Sequence, residues 1–146
     1  MSDTARRILL AILLLGIAGL SLELSLLGHV EDIYQLIPLV LNGCGVAAIA
    51  MVVVWPSLGT IRLFQIIMVL FVVSGAVGMW LHYQATMEFQ LEMDPALSGW
   101  ALFRKAIVAK APPALAPGAM IQLGLIGLAY TFRHPALHSV EGRVPS

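Results

Sequence analysis

Four apolar runs fill most of the 146-residue chain and limit what it can fold into. They cover residues 8–27, 36–55, 61–83 and 116–132, and short polar turns separate the first three. A helix of about 20 apolar residues, rising ~1.5 Å per residue, crosses the ~30 Å hydrocarbon core of a bilayer. The sequence therefore predicts an all-α fold: an up-down, integral membrane four-helix bundle that forms a single transmembrane domain over residues 1–146.

The composition agrees with a lipid environment. Hydrophobic residues make up 60% of the chain and charged residues 11%, whereas soluble domains carry about 25% charged residues. The 8 basic and 8 acidic residues cancel, so no electrostatic attraction to nucleic acid is expected. The single cysteine, Cys44, excludes an internal disulfide and a cysteine-based zinc site.

Basic residues next to the spans predict the orientation, because such residues are enriched on the cytoplasmic side. The first run is too long for a signal peptide and lacks a cleavage site, so it is predicted to stay as a span. A cytoplasmic N-terminus places these basic residues inside: Arg6, Arg7, Arg62, Arg133 and Arg143. It places these outside: Arg104, Lys105 and Lys110. Both termini are therefore predicted to be cytoplasmic, with a polar, loosely ordered tail at 133–146.

The stretch 84–115 is predicted to be a long outer loop that contains a helix at 98–111. Trp100, Phe103 and Ile107 share one face of this helix, and Arg104 and Lys105 lie elsewhere. Such a pattern is typical of an amphipathic helix in the membrane interface, and a short soluble helix packed on the bundle is the alternative. Residues 84–93 alternate apolar and polar side chains, which fits either a strand-like loop or a continuation of the third helix.

Each span carries a polar side chain in its outer half, about 6 to 13 Å from the outer end by helix rise. These residues, which form a predicted polar layer, are Glu23, Asn42, Ser74 and Gln122. A carboxyl group in lipid is protonated, paired or hydrated. Glu23 is therefore either a cation- or proton-handling group, a hydrogen-bonding partner of Asn42 or Gln122, or a group that reaches water.

A second set of polar residues lies above this layer. Imidazole and carboxylate groups are suitable ligands for a divalent metal such as zinc, and the candidates are His29, Glu31, Asp32, His82, Glu88 and Glu92. Solvated acidic loops have the same composition, so the expected cofactor is none, with a divalent metal as the alternative. An enzyme that acts on lipid would use His82, Glu88 and Glu92, but the sequence has no catalytic motif, and the chain is predicted not to be an enzyme.

Small residues are expected to bring the spans together, because lipid provides no hydrophobic drive for helix association. The candidates are Gly16, Gly19, Gly43, Gly45, Ser74, Gly78, Gly124 and Gly127.

The second half of the chain, with segments WLHYQATMEFQLEM and SGWALFRKAIVAKAPPALAPGAMIQLGLIGLAYTFRHPAL, resembles small four-span proteins of the bacterial inner membrane. The resemblance implies a location in that membrane and no particular activity. A carboxylate in a first span is also found in small multidrug transporters. Here, however, Glu23 lies late in its span and the long third loop is foreign to that group, so we reject this match.

These patterns predict a non-enzymatic membrane subunit or interaction protein. Its outer face, made of the long loop and its helix, would dock a protein partner, a lipid or a cofactor. The predicted interface residues are Trp100, Phe103, Arg104, Lys105 and Ile107, and the partner is another membrane protein or a second copy. The alternative is cation or proton transport, or divalent-metal binding, through the polar layer centred on Glu23.

Overall fold

The chain is described by a computed structural model that covers residues 1–26, 28, 33–108 and 115–138. The helices are α1 (Asp3–Leu26), α2 (Ile33–Val54), α3 (Leu58–Met93), α4 (Gly99–Ile107), α5 (Leu115–Thr131) and α6 (Pro135–His138). Within those residues there is no β-strand, and the predicted all-α class is confirmed.

Three of the helices are long and apolar enough to cross a membrane, namely α1, α2 and α3. The fourth predicted span corresponds to α5, a shorter apolar helix of 17 residues. Long apolar helices of this kind suggest a membrane protein. The helices begin and end within a few residues of the predicted spans, except at the end of α3.

Helix α3 continues ten residues beyond the predicted third span, so the stretch 84–93 is helical rather than a loop. Its 36 residues correspond to a length of about 54 Å. The helix ends at Met93 because Pro95 disfavours helical geometry at the residue before it, and Asp94 is extended with φ −149°. The predicted outer loop of 84–115 therefore begins only at Asp94.

Two prolines shape the helix boundaries in different ways. Pro56 lies in the tight α2–α3 turn, and the next residue, Ser57, caps α3. The Ser57 Oγ accepts from the Thr60 N–H at 3.2 Å, and the Thr60 Oγ1 accepts from the Ser57 N–H at 2.9 Å. A span that begins at residue 36 would place Pro38 in its first turn, but α2 begins earlier, at Ile33. Pro38 therefore lies inside the helix, where it cannot donate to the carbonyl of Tyr34.

The helices α1, α2, α3 and α5, here called the four long helices, pack in a ring. Helix α3 lies against α5 and α2, and α1 lies against the same two helices. The inward face of α1 repeats every three or four residues through Leu13, Ile17, Leu20 and Leu24, all buried. The core of α3 consists of Ile61, Phe64, Met68 and Phe71.

The backbones of α3 and α5 come close together at two glycines. A Cβ atom on Gly75 would lie 2.5 Å from the Pro117 carbonyl oxygen, and one on Gly124 would lie 2.6 Å from the Met68 carbonyl oxygen. The small residues in the sequence predict a close helix contact at Gly124. On α3, however, they predict it at Ser74 and Gly78 and not at Gly75. A Cβ on Gly78 would make only ordinary contact, at 3.5 Å from Pro117.

Side-chain contacts show which helix ends lie together. Arg6 in α1 donates to the carbonyl of Arg133, just after α5, at 2.8 Å, and Gln65 near the start of α3 donates to Thr131 at 3.0 Å. The start of α1, the start of α3 and the end of α5 therefore share one end of the molecule, here called the Arg6 end. The opposite end, where α3 carries His82, is called the His82 end.

The tail at 133–146, predicted to be loosely ordered, contains a short helix. Arg133 turns the chain with φ +49°, and Pro135–His138 then form one helical turn, α6. Proline is favourable at the first position of a helix because its missing N–H would have no partner there. The prediction is therefore wrong for these four residues, and 139–146 lie outside the described residues.

Candidate functional site

Asn42 is the central polar residue between α1 and α2. Its side chain is 2% exposed, and Nδ2 donates to Ser21 Oγ at 2.9 Å. Ser21 in turn donates to the carbonyl of Ile17 at 2.8 Å. The carbonyl oxygen Oδ1 of Asn42 is buried and has no hydrogen-bond partner among the described residues. The contact joins two helices, at the cost of one buried acceptor.

The other members of the predicted polar layer lie elsewhere. Glu23 is exposed and lies two residues after Ser21, about 200° around the helix. Gln122 is exposed on α5, next to the buried Leu123. Ser74 is half-buried, with its Oγ 4.0 Å from Met120 Sδ. The structure thus brings Asn42 together with Ser21. The sequence could have indicated this contact only because Ser21 lies next to the apolar residues on the inward face of α1.

The predicted metal ligands divide into two groups. His29, Glu31 and Asp32 lie outside the described residues. In the described parts of the chain, no three His, Cys, Asp or Glu side chains are grouped closely enough to hold a metal ion. On α3, Glu88 and Glu92 are both exposed and share a helix face at four-residue spacing, whereas His82 is six residues from Glu88 and points to another side.

A cavity opens between the four long helices at the His82 end. Its volume is about 420 Å³, which falls within the ~300–1,000 Å³ usual for small-molecule sites. Most of its wall is apolar, and the polar groups in it belong to Ser74, Gln35 and His82. A cavity of this composition can hold an apolar ligand that carries one or two hydrogen-bonding groups.

At the same end of the molecule, four aromatic side chains form a continuous row from α3 to α4. The ring centroids of Trp80 and Tyr83 are 6.2 Å apart, those of Tyr83 and Phe103 are 6.0 Å apart, and those of Phe103 and Trp100 are 5.0 Å apart in a stacked arrangement. Trp100 is 73% exposed. We call these four residues the aromatic row.

Helix α4 rests on α3 by a narrow contact. Among its residues only Ala106 is buried, while Phe103, Ile107 and Trp100 stay exposed. Lys105 lies 3.8 Å from Asp94, and both side chains are about half exposed, so this ion pair contributes little to stability. The predicted helix is present as Gly99–Ile107, while residues 109–111 lie outside the described residues. It packs on α3 and leaves the predicted apolar residues exposed.

The Arg6 end carries a second polar cluster that the sequence does not indicate. The Arg6 side chain is only 10% exposed. Its guanidinium group donates to the Arg133 carbonyl at 2.8 Å and lies 3.4 Å from Asp3, whose side chain is 89% exposed. Its Nε is buried without a hydrogen-bond partner in the described chain. An arginine in the first turn of an apolar helix is normally an exposed anchor, so only the fold shows its burial.

His134 completes this cluster. Its Nδ1 accepts from the Ala136 N–H at 3.3 Å, so its Nε2 carries the proton and faces the Tyr130 hydroxyl at 3.4 Å. Burial lowers the pKa of His134 below its ordinary value of 6.5, and the nearby Arg6 charge lowers it further, against a smaller opposing effect of Asp3. These effects favour the neutral form of His134.

Comparisons of the chain with protein-family models, with curated proteins and with solved structures gave no match.

Proposed function

We propose that the chain is an integral membrane four-helix bundle in which α1, α2, α3 and α5 alternate in direction. The support is the number of large apolar side chains that the helices leave exposed, among them Leu15, Leu22, Val53 and Ile66. Soluble monomers rarely expose continuous apolar surface on this scale, whereas lipid is a suitable solvent for it. Helix α5, with its 17 residues, is at the short limit of about 17–25 for a span.

The bundle is placed in the bacterial inner membrane with both termini cytoplasmic. The Arg6–Arg133 contact supports an even number of crossings, because it joins the start of α1 to the end of α5. Arg6 and Arg7 would then lie on the cytoplasmic side, as is usual for basic residues. The His82 end becomes the outer face.

Within this arrangement the protein acts as a non-enzymatic subunit whose outer face docks a partner. The aromatic row carries this proposal: α3 is about 54 Å long, so roughly 24 Å of it extends beyond a ~30 Å hydrocarbon core. The aromatic row lies at the base of this extension. Exposed aromatic side chains are enriched at protein interfaces, and a membrane-protein partner is therefore favoured over a lipid or a cofactor.

The test is co-purification from native membranes in a mild detergent, with quantitative mass spectrometry. We expect a stoichiometric partner with the wild type and its loss when Trp100→Ala and Phe103→Ala are combined. Trp55→Ala is the matched control, because Trp55 is 75% exposed but belongs to the Arg6 end. Equal recovery of the partner with all three proteins, or no stoichiometric partner at all, would overturn the proposal.

Cation or proton transport centred on Glu23 is the alternative function. Its test is Glu23→Gln, which keeps the size of the side chain and removes its charge. Unchanged ion-dependent uptake or stabilisation in this variant would exclude Glu23 as the transported ion's site.

A further inference from the structure

A pocket at the Arg6 end has the features of an anion site. Its volume is about 610 Å³, and it lies between the start of α1, the end of α2 and the α5–α6 turn. Two arginines, Arg6 and Arg7, line it together with Tyr130 and His134. Among the residues that the structure describes, Asp3 is the only acidic one in its wall, so the described wall carries a net positive charge.

Arg6 is the main reason to expect a ligand there. A buried guanidinium group is costly unless an anion and hydrogen-bond acceptors compensate it. The carboxylate of Asp3 is almost fully exposed and 3.4 Å away, where water weakens its attraction. Of the five N–H donors of the guanidinium group, Nε has no acceptor among the described residues. Arg6 therefore carries a buried charge that the described part of the chain neutralises only in part.

The rest of the wall indicates what kind of anion fits. Leu10, Val52 and Val53 line the same pocket, and Val53 is largely exposed. A ligand would therefore have its charged group at Arg6 and Arg7 and an aliphatic part along α1 and α2. Basic pockets between membrane helices on the cytoplasmic side suit the phosphate groups of anionic lipids.

We propose that this pocket binds the phosphate group of an anionic membrane phospholipid, with an acyl chain against Leu10, Val52 and Val53. The inference rests on the membrane placement proposed above, since a phospholipid is available only if the Arg6 end lies at a membrane surface. It is independent of the partner proposed for the outer face.

The test is thermal unfolding of the full-length protein in a neutral detergent, titrated with phosphatidylglycerol or with phosphatidylcholine of the same acyl chains. A ligand that binds only the folded state raises Tm with its concentration. We expect phosphatidylglycerol to raise Tm and phosphatidylcholine to have little effect. Equal shifts with both lipids would overturn the assignment of an anion site. A full shift with inorganic phosphate alone would overturn the assignment of a lipid.

Variants locate the site. Arg7→Gln is preferred to a change at Arg6, because Arg6 also joins α1 to α5 and its loss would disturb folding. Arg7 is exposed and lines the pocket, so its loss should weaken phosphatidylglycerol binding by ~5-fold. Arg62→Gln removes an exposed arginine of the same end that is not in this pocket. An equal loss of binding in both variants would show diffuse attraction and overturn the proposal.

The failure of the membrane placement can be told apart from the failure of this inference. If the chain is released from membranes by alkaline carbonate, the placement itself is wrong. If the chain stays in the membrane fraction but phosphatidylglycerol acts no better than phosphatidylcholine, only the headgroup site is wrong.

Discussion

At the scale of single residues, helix rotation decides which polar side chains meet. Successive residues of a helix are rotated by about 100°, so Ser21 and Glu23 point in nearly opposite directions even though they differ little in depth. The sequence shows that Asn42 is a polar residue well inside an apolar span, and this predicts that its side chain needs a polar partner. The choice of Ser21 depends on which face of α1 is buried, that is, on the packing of Ile17 and the other residues of the inward face.

The Asn42–Ser21 contact yields the first prediction. Ser21→Ala should lower the free energy of unfolding by about 1–2 kcal/mol, because it leaves the buried Nδ2 of Asn42 without an acceptor. Asn42→Leu should be neutral or stabilising, because it removes both the bond and the unsatisfied Oδ1. Ser21→Ala should then cost much less in the Asn42→Leu background. A double-mutant cycle in detergent unfolding measures this coupling, and additive effects would contradict it.

The second prediction concerns pH and His134. The folded protein lowers the pKa of this group, so the unfolded chain binds a proton that the folded chain does not. The resulting stability is present above pH ~6.5 and is lost as the pH falls below that value. Unfolding at several pH values between about 7.5 and 5.5 measures the slope. His134→Asn should flatten it, while His82→Asn at the opposite end should keep it, and an unchanged slope in His134→Asn would show that another group is responsible.

At the scale of helices, the sequence predicts which helices form better than it predicts how long they are and which of their residues touch. The apolar runs locate α1, α2, α3 and α5, because lipid-length apolar segments leave few alternatives. The alternation at 84–93 does not settle whether α3 continues, although the stretch contains neither Gly nor Pro and is rich in the helix formers Glu, Gln, Leu and Met. The choice of Gly75 over Gly78 at the α5 contact depends on helix rotation, which no pattern in a single chain fixes.

The close α3–α5 contact yields the third prediction. Gly124→Ala should destabilise the protein by about 1–3 kcal/mol, because its Cβ would lie 2.6 Å from the Met68 carbonyl oxygen and the backbones would have to separate. Gly43→Ala in α2 is the matched control. A Cβ there has no neighbour within 4 Å, so the variant should gain up to ~1 kcal/mol from helix propensity. Similar unfolding free energies for the two variants would contradict the contact.

At the scale of the whole molecule, the two ends differ in chemistry. The Arg6 end has a buried arginine, a buried histidine and a pocket lined by two arginines. The His82 end has an apolar cavity and the aromatic row, which begins on the 36-residue helix α3. The contact of Arg6 with Arg133 requires the first and last long helices to start and finish at the same end. This asymmetry makes the orientation in the membrane the property on which both proposed sites depend.

The fourth prediction tests that orientation with the chain's single cysteine as an internal control. Cys44 is exposed in the middle of α2, so in a membrane it faces lipid and should not react with a membrane-impermeant maleimide. In a Cys44→Ser background, Glu92→Cys should be labelled in intact cells, because Glu92 is exposed near the end of α3 that the proposed orientation places outside. Arg62→Cys should be labelled only after the cells are opened. Labelling of Arg62→Cys but not Glu92→Cys in intact cells would show the inverted orientation. Labelling of Cys44 in the wild type would show that α2 is not in lipid, and the membrane bundle would then be wrong.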